Sequence, residues 1–315
     1  MMKYKQWCAV APRTEEQKRA YKKRRLKQEL LGTGMVILPF LGFLFFTMFP
    51  MLMSLLLSFS NLRSALITEA TFDAGFGNYV AVLKDTYTWK AMRTTLVYSL
   101  TAFINLAISI FLANILRKDL RGKKFWLVLY FLPQVCSSVS VTLMWRWLLS
   151  DNGVTNSILL NLGAKEPIHF FTDASWYMVA IFIMSSWQHC TNIIVLLSAF
   201  SGINVSLQEA ARLDGANETQ VFWKITLPQL TPTIYYLLTM NLIAALQEQA
   251  IFQFLNTTGV GPDFWGLTLT YQMYRLINVN YQYGLSCALS WVIGIFILII
   301  SVINSKLSKK WVCYD

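Results

Sequence analysis

The chain has 315 residues, of which 55% are hydrophobic, and its formal net charge is +11. Six mostly apolar runs exclude a soluble two-domain protein, because each run is long enough to cross a ~30 Å hydrocarbon core as a helix. The positive charge does not indicate nucleic-acid binding, because the distribution of the basic residues along the chain accounts for it.

The first 30 residues are predicted to be a basic segment on the cytoplasmic side. Ten Lys and Arg lie between Lys3 and Lys27, and no short apolar core with a cleavage site follows, which excludes a cleavable signal peptide. Thr14 and Gln17 have capping-box spacing, so the stretch TEEQKRAYKKRRLKQEL is predicted to form a helix. Its basic face is interpreted either as resting on anionic lipid headgroups or as simply solvated.

Six transmembrane helices are predicted, because backbone groups in lipid must find their hydrogen bonds within their own segment. Twenty of the 27 Lys and Arg fall on one side if the spans alternate, and six fall on the other side. This bias predicts that both termini are cytoplasmic. The predicted spans make residues 31–310 an all-α polytopic domain, and residues 311–315 are predicted to be a cytoplasmic tail. The predicted spans are Leu31–Phe59, Met92–Leu116, Phe125–Leu149, Ala174–Ile203, Thr233–Leu255 and Tyr283–Asn304.

Several kinds of site are excluded by what the sequence lacks. The five Cys are scattered and only two His are present, so neither a disulfide framework nor a metal site is predicted. No G-x-x-x-x-G-K-[ST] motif occurs, so the chain is not expected to bind ATP itself. Without a nucleophile–base or paired-carboxylate arrangement, no catalytic residue and no cofactor of its own are predicted.

Polar residues interrupt several of the predicted spans. Span four contains SSWQHCTN, in which Ser185, His189 and Asn192 lie on one helix face. Polar side chains in lipid are costly and face a bundle interior or a cavity, so this face is predicted to point inward. Earlier in the chain, Asn105 is interpreted as a contact between helices, and Trp145–Trp147 as an aromatic belt with a snorkelling Arg.

Residues 204–232, hereafter the EAA segment, connect spans four and five and contain EAARLDGANETQVFWKITLPQLTP. Ser206 and Glu209 have capping-box spacing, which predicts a short helix from about Leu207. Gly215 is placed where this helix would end in a left-handed conformation.

A second short helix is predicted within the EAA segment. Asn217 and Gln220 offer its start, Pro228 is predicted to stop it, and Pro232 fits the first turn of span five. The two helices are interpreted either as an amphipathic hairpin without a partner or as a knob that docks into another protein and passes motion to both attached spans.

Span five carries a second polar group, LQEQA, in which Asn241 and Glu248 are seven residues apart and are predicted to share a helix face. The polar residues of spans four and five, with two adjacent aromatic residues, are predicted either to line a solute path or to hold helices together by hydrogen bonds. These residues are Ser185, Trp187, Gln188, His189, Asn192, Asn241, Gln247, Glu248, Gln249 and Phe252.

The EAA segment resembles the EAA motif of binding-protein-dependent ABC importer permeases, which reads E-A-A, three residues, G, nine residues and I-x-L-P. In that family the loop forms a coupling helix that inserts into a cleft on a separate ATPase subunit. The resemblance implies that Glu209 pairs with a basic group of the ATPase and that Gly215 permits the bend. The matching residues are Glu209, Ala210, Ala211, Asp214, Gly215, Ala216, Ile225, Leu227 and Pro228.

Three further stretches are similar to sugar permeases of the maltose and glycerol-phosphate type. Phe76–Leu100 resembles their N-Y/F…W-x-A…N-T-L opening, with Thr94 in place of the usual Asn. Asp151–Gly163 resembles a G-x-x-N-x-x-L segment found in one of two paired subunits. Thr257–Pro262 looks like their T-x-G-G-P stretch, with Val260 between the two glycines.

The resemblance implies a type I ABC importer permease fold in the bacterial cytoplasmic membrane, and a sugar or oligosaccharide delivered by an extracytoplasmic binding protein. ATP and Mg²⁺ are expected in partner ATPase subunits, and a second, different permease subunit is expected to complete the path. The family's fifth core helix contributes polar contacts to a mid-membrane cavity, which matches Gln247–Gln249. The alternatives are an importer permease for a non-sugar solute and a gradient-driven transporter, in which Glu248 and His189 carry protons or ions.

Overall fold

The computed structural model describes residues 14–118, 121–187, 190–256 and 259–313 of the chain. These residues form helices joined by turns and loops, with no β-strand among them, so the predicted all-α fold is confirmed. The chain divides after Leu56 into two compact units, which are described in turn.

The first unit is one long helical run. Helix α1 (Glu15–Phe43) continues through a π-helical turn, Leu44–Met48, into α2 (Phe49–Leu57). The predicted basic helix and first span are therefore parts of one element, and Leu26–Leu57 is long and apolar enough to cross a membrane. The boundary at residue 30 stays a prediction, because the helix passes it without a break.

The second unit contains the other α-helices of the described residues. Several of them are shorter than the predicted spans, because turns divide the apolar runs. They are α3 (Gly77–Lys84), α4 (Thr86–Ser99), α5 (Thr101–Leu116), α6 (Lys123–Val135), α7 (Ser138–Leu148), α8 (Val154–Asn161), α9 (Ala174–Ser186), α10 (Cys190–Ser201), α11 (Val205–Leu213), α12 (Glu218–Val221), α13 (Leu227–Leu246), α14 (Ala250–Leu255), α15 (Leu269–Asn278) and α16 (Tyr283–Ser308).

Within the described residues, three helical segments are long and apolar enough to cross a membrane singly, and two bent helix pairs bring the number to as many as five. The third predicted span is the more sharply bent pair, since α6 and α7 meet at 103°. Cys136 is extended there, and the hydroxyl of Ser137 caps α7 by accepting the Ser140 N–H at 3.2 Å. The expectation of one unbroken helix was wrong for this span, because a serine cap restarts the helix in a new direction.

The fourth and fifth predicted spans are also divided. Helices α9 and α10 form the second bent pair, with an angle of 49° between them. Helix α13 ends at Leu246 and α14 begins at Ala250, so the fifth span is interrupted near its end. At 1.5 Å rise per residue, the 20 residues of α13 alone extend about 30 Å.

Helices α5, α10 and α13 pack on one another and form the centre of the second unit. Near the EAA segment their buried cluster includes Leu116, Leu196 and Leu230. A second buried cluster, around Tyr177 and Leu289, joins α9, α14 and α16. Between helices in lipid, such contacts stabilise mainly by van der Waals packing, because the surrounding acyl chains are as apolar as the side chains.

The first turn of α16 packs closely on the turn that follows α2. The Gly284 N–H donates to the Leu62 carbonyl at 3.1 Å, and the Asn78 side chain donates to the carbonyls of Ser58 at 2.9 Å and Ser60 at 2.8 Å. A β-carbon on Gly284 would overlap with the Ser60 carbonyl oxygen, so the backbone approach requires glycine at this position.

Candidate functional site

The first helix of the EAA segment begins two residues earlier than predicted. Helix α11 starts at Val205, and its N-cap is Asn204, whose side chain accepts the Ser206 N–H at 3.0 Å and the Ser206 hydroxyl at 2.8 Å. The prediction that Ser206 caps this helix was wrong. Asn is at least as good an N-cap as Ser, and Asn204 is placed one residue before the first helical turn.

The bend after α11 has the left-handed glycine that the sequence predicts. Gly215 has φ of +86°, its N–H donates to the Arg212 carbonyl at 3.1 Å, and the Ala216 N–H donates to the Ala211 carbonyl at 2.9 Å. This pair of hydrogen bonds is a Schellman motif, which satisfies carbonyls that the end of a helix leaves without partners. The fold of the bend therefore depends on a residue that tolerates positive φ.

An ion pair crosses this bend. The Arg212 guanidinium donates to both carboxylate oxygens of Glu218, with Nε–Oε1 at 2.6 Å and Nη2–Oε2 at 3.2 Å. The hydrogen bond from Arg212 holds the pKa of the Glu218 carboxyl below its usual value. The pair joins α11 to α12, so the two short helices form one bent unit rather than two independent helices.

The second helix of the EAA segment is continuous with span five. Its predicted capping box is present: the Gln220 N–H donates to the Asn217 side chain at 2.8 Å, and the Asn217 N–H donates to the Gln220 side chain at 2.9 Å. The prediction that Pro228 stops this helix was wrong. A π-helical turn, Phe222–Thr226, leads from α12 directly into α13, with Pro228 in the first turn of α13.

The π-helical turn explains how the proline is accommodated. The Leu227 N–H donates to the Phe222 carbonyl five residues back, so the helix widens immediately before Pro228. A proline within a regular α-helix clashes with the carbonyl four residues earlier, and it lacks an N–H to bond it. The wider turn accommodates Pro228 only. The prediction that Pro232 lies in the first turn of span five was wrong, because α13 begins at Leu227 and Pro232 lies inside it; the Pro228 carbonyl, four residues before Pro232, accepts the Thr231 hydroxyl at 2.6 Å.

The EAA segment presents an exposed surface with apolar side chains. Glu209 and Ala210 are exposed on α11, and Leu213 at its end is 89% exposed. A contiguous patch of exposed apolar side chains is typical of an interaction site, whereas single exposed apolar side chains are ordinary. The other exposed apolar side chains of the segment are Val205, Leu207 and Trp223.

The second group of predicted site residues lies at the interruption of span five. Glu248 is in the turn between α13 and α14, where its carboxylate accepts the Ile251 N–H at 3.1 Å and its carbonyl accepts the Thr268 hydroxyl at 3.0 Å. The prediction that Asn241 and Glu248 share a helix face was wrong, because α13 ends at Leu246. The turn gives Glu248 backbone N–H partners that a continuous helix does not offer.

The neighbours of Glu248 have different environments. Gln247 is exposed at the end of α13, whereas the Gln249 amide donates to the Gln253 side chain at 2.9 Å. Phe252 is fully buried and its ring packs edge-on against Tyr98, with centroids 5.2 Å apart. The prediction of an aromatic face open to a solute was therefore wrong for Phe252, because the ring belongs to the core.

The predicted residues of span four are separated by the bend between α9 and α10. Ser185 is buried and donates to the Phe182 carbonyl at 3.1 Å, and Trp187 packs edge-on against Trp145, with ring centroids 5.7 Å apart. Asn192 lies in the first turn of α10. The predictions for Gln188 and His189 lie outside the described residues.

Three buried amides lie on the helices at the centre of the second unit. Asn105 on α5, Asn192 on α10 and Asn241 on α13 each have a buried Nδ2 with no hydrogen-bond partner among the described residues. Their helices pack on one another, and each amide lies within three residues of a member of one buried cluster, Leu106, Ile193 and Leu238 respectively. Leaving a buried amide unsatisfied costs free energy, so these groups are available to a polar ligand or water.

Asn105 was predicted to form a contact between helices, but neither its Nδ2 nor its Oδ1 has a hydrogen-bond partner among the described residues. The residue type was noticed, but its lack of a partner is a three-dimensional property. A signal was present in the sequence, because Asn105 is an amide within an apolar run, as Asn192 and Asn241 are.

A cavity lies beside the ends of α7 and α14. Its volume is about 770 Å³, and Arg146 and Trp147 line it, together with Asp151, Phe171 and Asn256. The predicted aromatic belt of span three therefore borders a cavity at this end of the helices. Carboxylate, guanidinium, amide and aromatic groups converge there, a combination that suits a polar organic solute.

Comparison with known proteins identifies one family. Residues 105–310 match the family described as "Binding-protein-dependent transport system inner membrane component". The chain is 32% identical over 301 residues to the probable ABC transporter permease protein YesP of Bacillus subtilis (strain 168), covering 93% of this chain and 96% of that protein. It is 30% identical over 291 residues to the multiple sugar-binding transport system permease protein MsmF of Streptococcus mutans, covering 91% and 98% respectively.

The fold is also found in a solved transporter. A chain in the crystal structure of a bacterial ABC transporter involved in the import of the acidic polysaccharide alginate superposes with a TM-score of 0.79 and is 25% identical, covering 93% of this chain and 99% of that chain. A second crystal structure shows a bacterial alginate ABC transporter in complex with alginate pentasaccharide-bound periplasmic protein. Its matching chain has a TM-score of 0.79 and 24% identity.

Proposed function

The chain belongs to the family of binding-protein-dependent transport system inner membrane components, and we propose that it forms part of the translocation path of an ATP-driven carbohydrate importer. The proposed assembly contains two partner ATPases that bind ATP and Mg²⁺, a second permease subunit and an extracytoplasmic binding protein. The carbohydrate assignment is supported by the multiple-sugar permease among the relatives and by the alginate transporter fold.

The observation that carries the proposal is the connection of the EAA segment to span five. Helix α12, the π-helical turn and α13 form one helical run, and α12 is tied to α11 by the Arg212–Glu218 ion pair. A force applied to α11 is therefore passed to the helix that leads to Glu248. A flexible loop between two spans does not transmit displacement in this way.

In the proposed mechanism, the ATPases close on the EAA segment when they bind ATP. Glu209 pairs with a basic group of the ATPase, and the exposed side chains of Leu207 and Leu213 pack in its cleft. Each state of the ATPase pair must favour one state of the membrane helices, because coupling is a difference in free energy between two arrangements. The chain itself makes and breaks no bonds.

The solute path is proposed to pass the polar groups of spans two, four and five. The Nδ2 atoms of Asn105, Asn192 and Asn241 would donate to hydroxyl oxygens of a sugar, and the Glu248 carboxylate would accept from sugar hydroxyls. Buried amides that gain hydrogen bonds only when a solute or water is present favour a hydroxyl-rich solute over an apolar one.

The orientation of the chain is part of the proposal. We place both termini and the EAA segment in the cytoplasm, because basic residues concentrate on that side of the spans. The proposed domains are the basic segment 1–30, the six-span permease domain 31–310 and the tail 311–315. The cavity beside Arg146 then lies toward the extracytoplasmic side, where a binding protein delivers its solute.

The test is mass spectrometry of the proteins that co-purify with the tagged chain from its own host in mild detergent. We expect an ATPase, a second EAA-bearing chain and a binding protein, and screening that binding protein against sugars identifies the cargo. A Glu209→Lys variant is expected to lose the ATPase, whereas the control Glu166→Lys, in an exposed loop, retains it. Recovery of the chain without any ATPase, in a preparation that still binds solute, would favour the gradient-driven alternative.

A further inference from the structure

A second cavity lies where the ends of three membrane helices meet the EAA segment. Its volume is about 390 Å³, and it is formed between the end of α5, the start of α6, the end of α10 and the helices α11 and α12. Its polar lining is rich in cations. The charged lining residues are Arg117, Lys118, Lys123, Arg212 and Glu218.

Arg117 is positioned by two contacts rather than extended into solvent. Its Nε donates to the Asn114 side chain at 2.8 Å, and its guanidinium lies 5.1 Å from the centre of the Phe200 ring. The side chain is half-buried, and this desolvation lowers the pKa of the guanidinium from its usual value. A partly desolvated cation held in one orientation is prepared to bind an anion.

The charge balance of the cavity favours an anion. Among the described residues that line it, Glu218 is the one acidic residue, and its carboxylate already accepts hydrogen bonds from Nε and Nη2 of Arg212. The hydrogen bond from Arg212 is the main cause of the lowered pKa of the Glu218 carboxyl, and the positive charges of Lys118 and Arg117 act in the same direction. Arg117, Lys118 and Lys123 together leave the cavity with an excess of positive charge among the described residues.

Part of the remaining lining is apolar, which distinguishes the cavity from a simple phosphate site, and the uncharged polar residues Ser201 and Gln208 complete it. Leu197, Phe200 and Ile203 belong to the apolar part of the wall, and Phe200 and Ile203 are buried. Cations beside an apolar surface, at the ends of membrane helices, match the two parts of a phospholipid: a phosphate headgroup and the start of its acyl chains. A free phosphate would contact the cations and leave the apolar part of the wall without an apolar partner.

We propose that this cavity binds the headgroup of an anionic phospholipid, with the phosphate between Arg117 and Lys123 and the adjoining acyl chain against Phe200. The bound lipid connects the α5–α6 turn to the EAA segment through Arg212. It therefore stabilises one position of the EAA segment relative to the membrane helices. The proposal requires only that these helices span a bilayer, and it does not depend on the transported solute.

The test is native mass spectrometry of the purified, delipidated transporter titrated with phosphatidylglycerol and with phosphatidylcholine. We expect the wild type to bind phosphatidylglycerol in clear preference to phosphatidylcholine. In the double variant that combines Arg117→Gln and Lys123→Gln, we expect this preference to fall about fivefold for each cation removed. The control, Lys309→Gln with Lys310→Gln, removes the same charge from the end of α16 and is expected to keep the preference.

Two further measurements keep the test decisive. Arg117→Lys keeps the charge and is expected to retain most of the preference, and Lys118→Gln provides a mild variant if the double variant fails to fold. An equal loss of lipid preference in the control variant at Lys309 and Lys310 would overturn the proposal, because the preference would then depend on basic residues in general and not on this cavity. Displacement of the lipid by millimolar inorganic phosphate would also overturn it, because the site would then be one for free phosphate.

Discussion

At the scale of single residues, Gly215 has the most demanding conformation in the EAA segment. Its φ of +86° is costly for residues with a β-carbon, although a β-carbon there would meet no atom within 4 Å. The constraint is therefore on the backbone and not on space. This distinction predicts which substitutions are tolerated, because Asn enters the left-handed region more readily than Ala, and β-branched residues enter it least.

We predict the order Asn, Ala, Val for retained function in substitutions of Gly215. Gly215→Ala costs about 1–2 kcal/mol of backbone strain, Gly215→Asn costs less and Gly215→Val costs more. The readout is solute-stimulated ATP hydrolysis by the assembled transporter, with membrane insertion measured as the control. Equal activity for the Asn and Val variants would mean that the left-handed bend is not needed for coupling.

Glu248 is the charged residue that is predicted to line the solute path. Glu248→Gln keeps an oxygen to accept the Ile251 N–H but removes the charge, so the chain is expected to assemble normally. Uptake is expected to fall about tenfold, because hydrogen bonds to a charged group are stronger by roughly 1 kcal/mol or more. The control Glu166→Gln, at an exposed loop residue, is expected to take up solute as the wild type does. Unchanged uptake by the Glu248→Gln variant would mean that Glu248 has only a structural role.

Gly284 tests the packing of α16 on the turn after α2. In Gly284→Ala the new β-carbon overlaps with the Ser60 carbonyl oxygen, and we expect a loss of about 1–3 kcal/mol of stability. Gly294→Ala on the same helix is the matched control, because its β-carbon meets no atom within 4 Å. Thermal unfolding in detergent measures both variants, and equal midpoints would contradict the close approach.

At the scale of elements, the π-helical turn at Phe222–Thr226 is predicted to decide whether the EAA segment and span five move together. It is the only interruption between α12 and α13 in the described residues, and Pro228 follows it in the first turn of α13. A rigid connection of this kind passes displacement along its axis, and a flexible one absorbs it. Helix propensity at an exposed position in the turn is therefore predicted to control coupling.

Lys224 is exposed in this turn and allows that test with a matched pair of variants. Lys224→Gly and Lys224→Ala remove the same charge, but Gly is less favourable than Ala in a helix by roughly 1 kcal/mol. We expect Lys224→Gly to reduce uptake several-fold while ATPase co-purification is retained, and Lys224→Ala to stay close to the wild type. Similar uptake by the two variants would show that stiffness of the turn is unimportant.

The elements also show where sequence reasoning succeeds. The left-handed Gly215 and the Asn217–Gln220 capping box were predicted correctly, because both depend on residues within one turn of each other. The cap at Asn204 was missed because Ser206 offered an equally good local pattern. The continuation past Pro228 and the 103° bend at Ser137 were missed because they depend on a widened turn and on a change of direction, which residue spacing does not report.

At the scale of the whole molecule, one chain is proposed to serve two roles, docking of the ATPase and passage of the solute. The EAA segment has exposed groups that we propose for docking, and the central helices carry buried amide nitrogens that have no hydrogen-bond partner among the described residues. The sequence predicted both groups of residues from polarity and spacing. Which polar residues are satisfied by neighbours, as Gln249 is by Gln253, and which are not, as with Asn192, became visible only from packing.

The most direct test of the central claim is the energy source of uptake. The assembled transporter would be reconstituted in liposomes with ATP inside, and uptake of a labelled sugar carried by its binding protein would be measured with and without an uncoupler. We predict uptake that requires internal ATP and continues after the ion gradients are dissipated. Uptake that collapses with the gradients while ATP remains would contradict the account and assign Glu248 to ion-coupled transport.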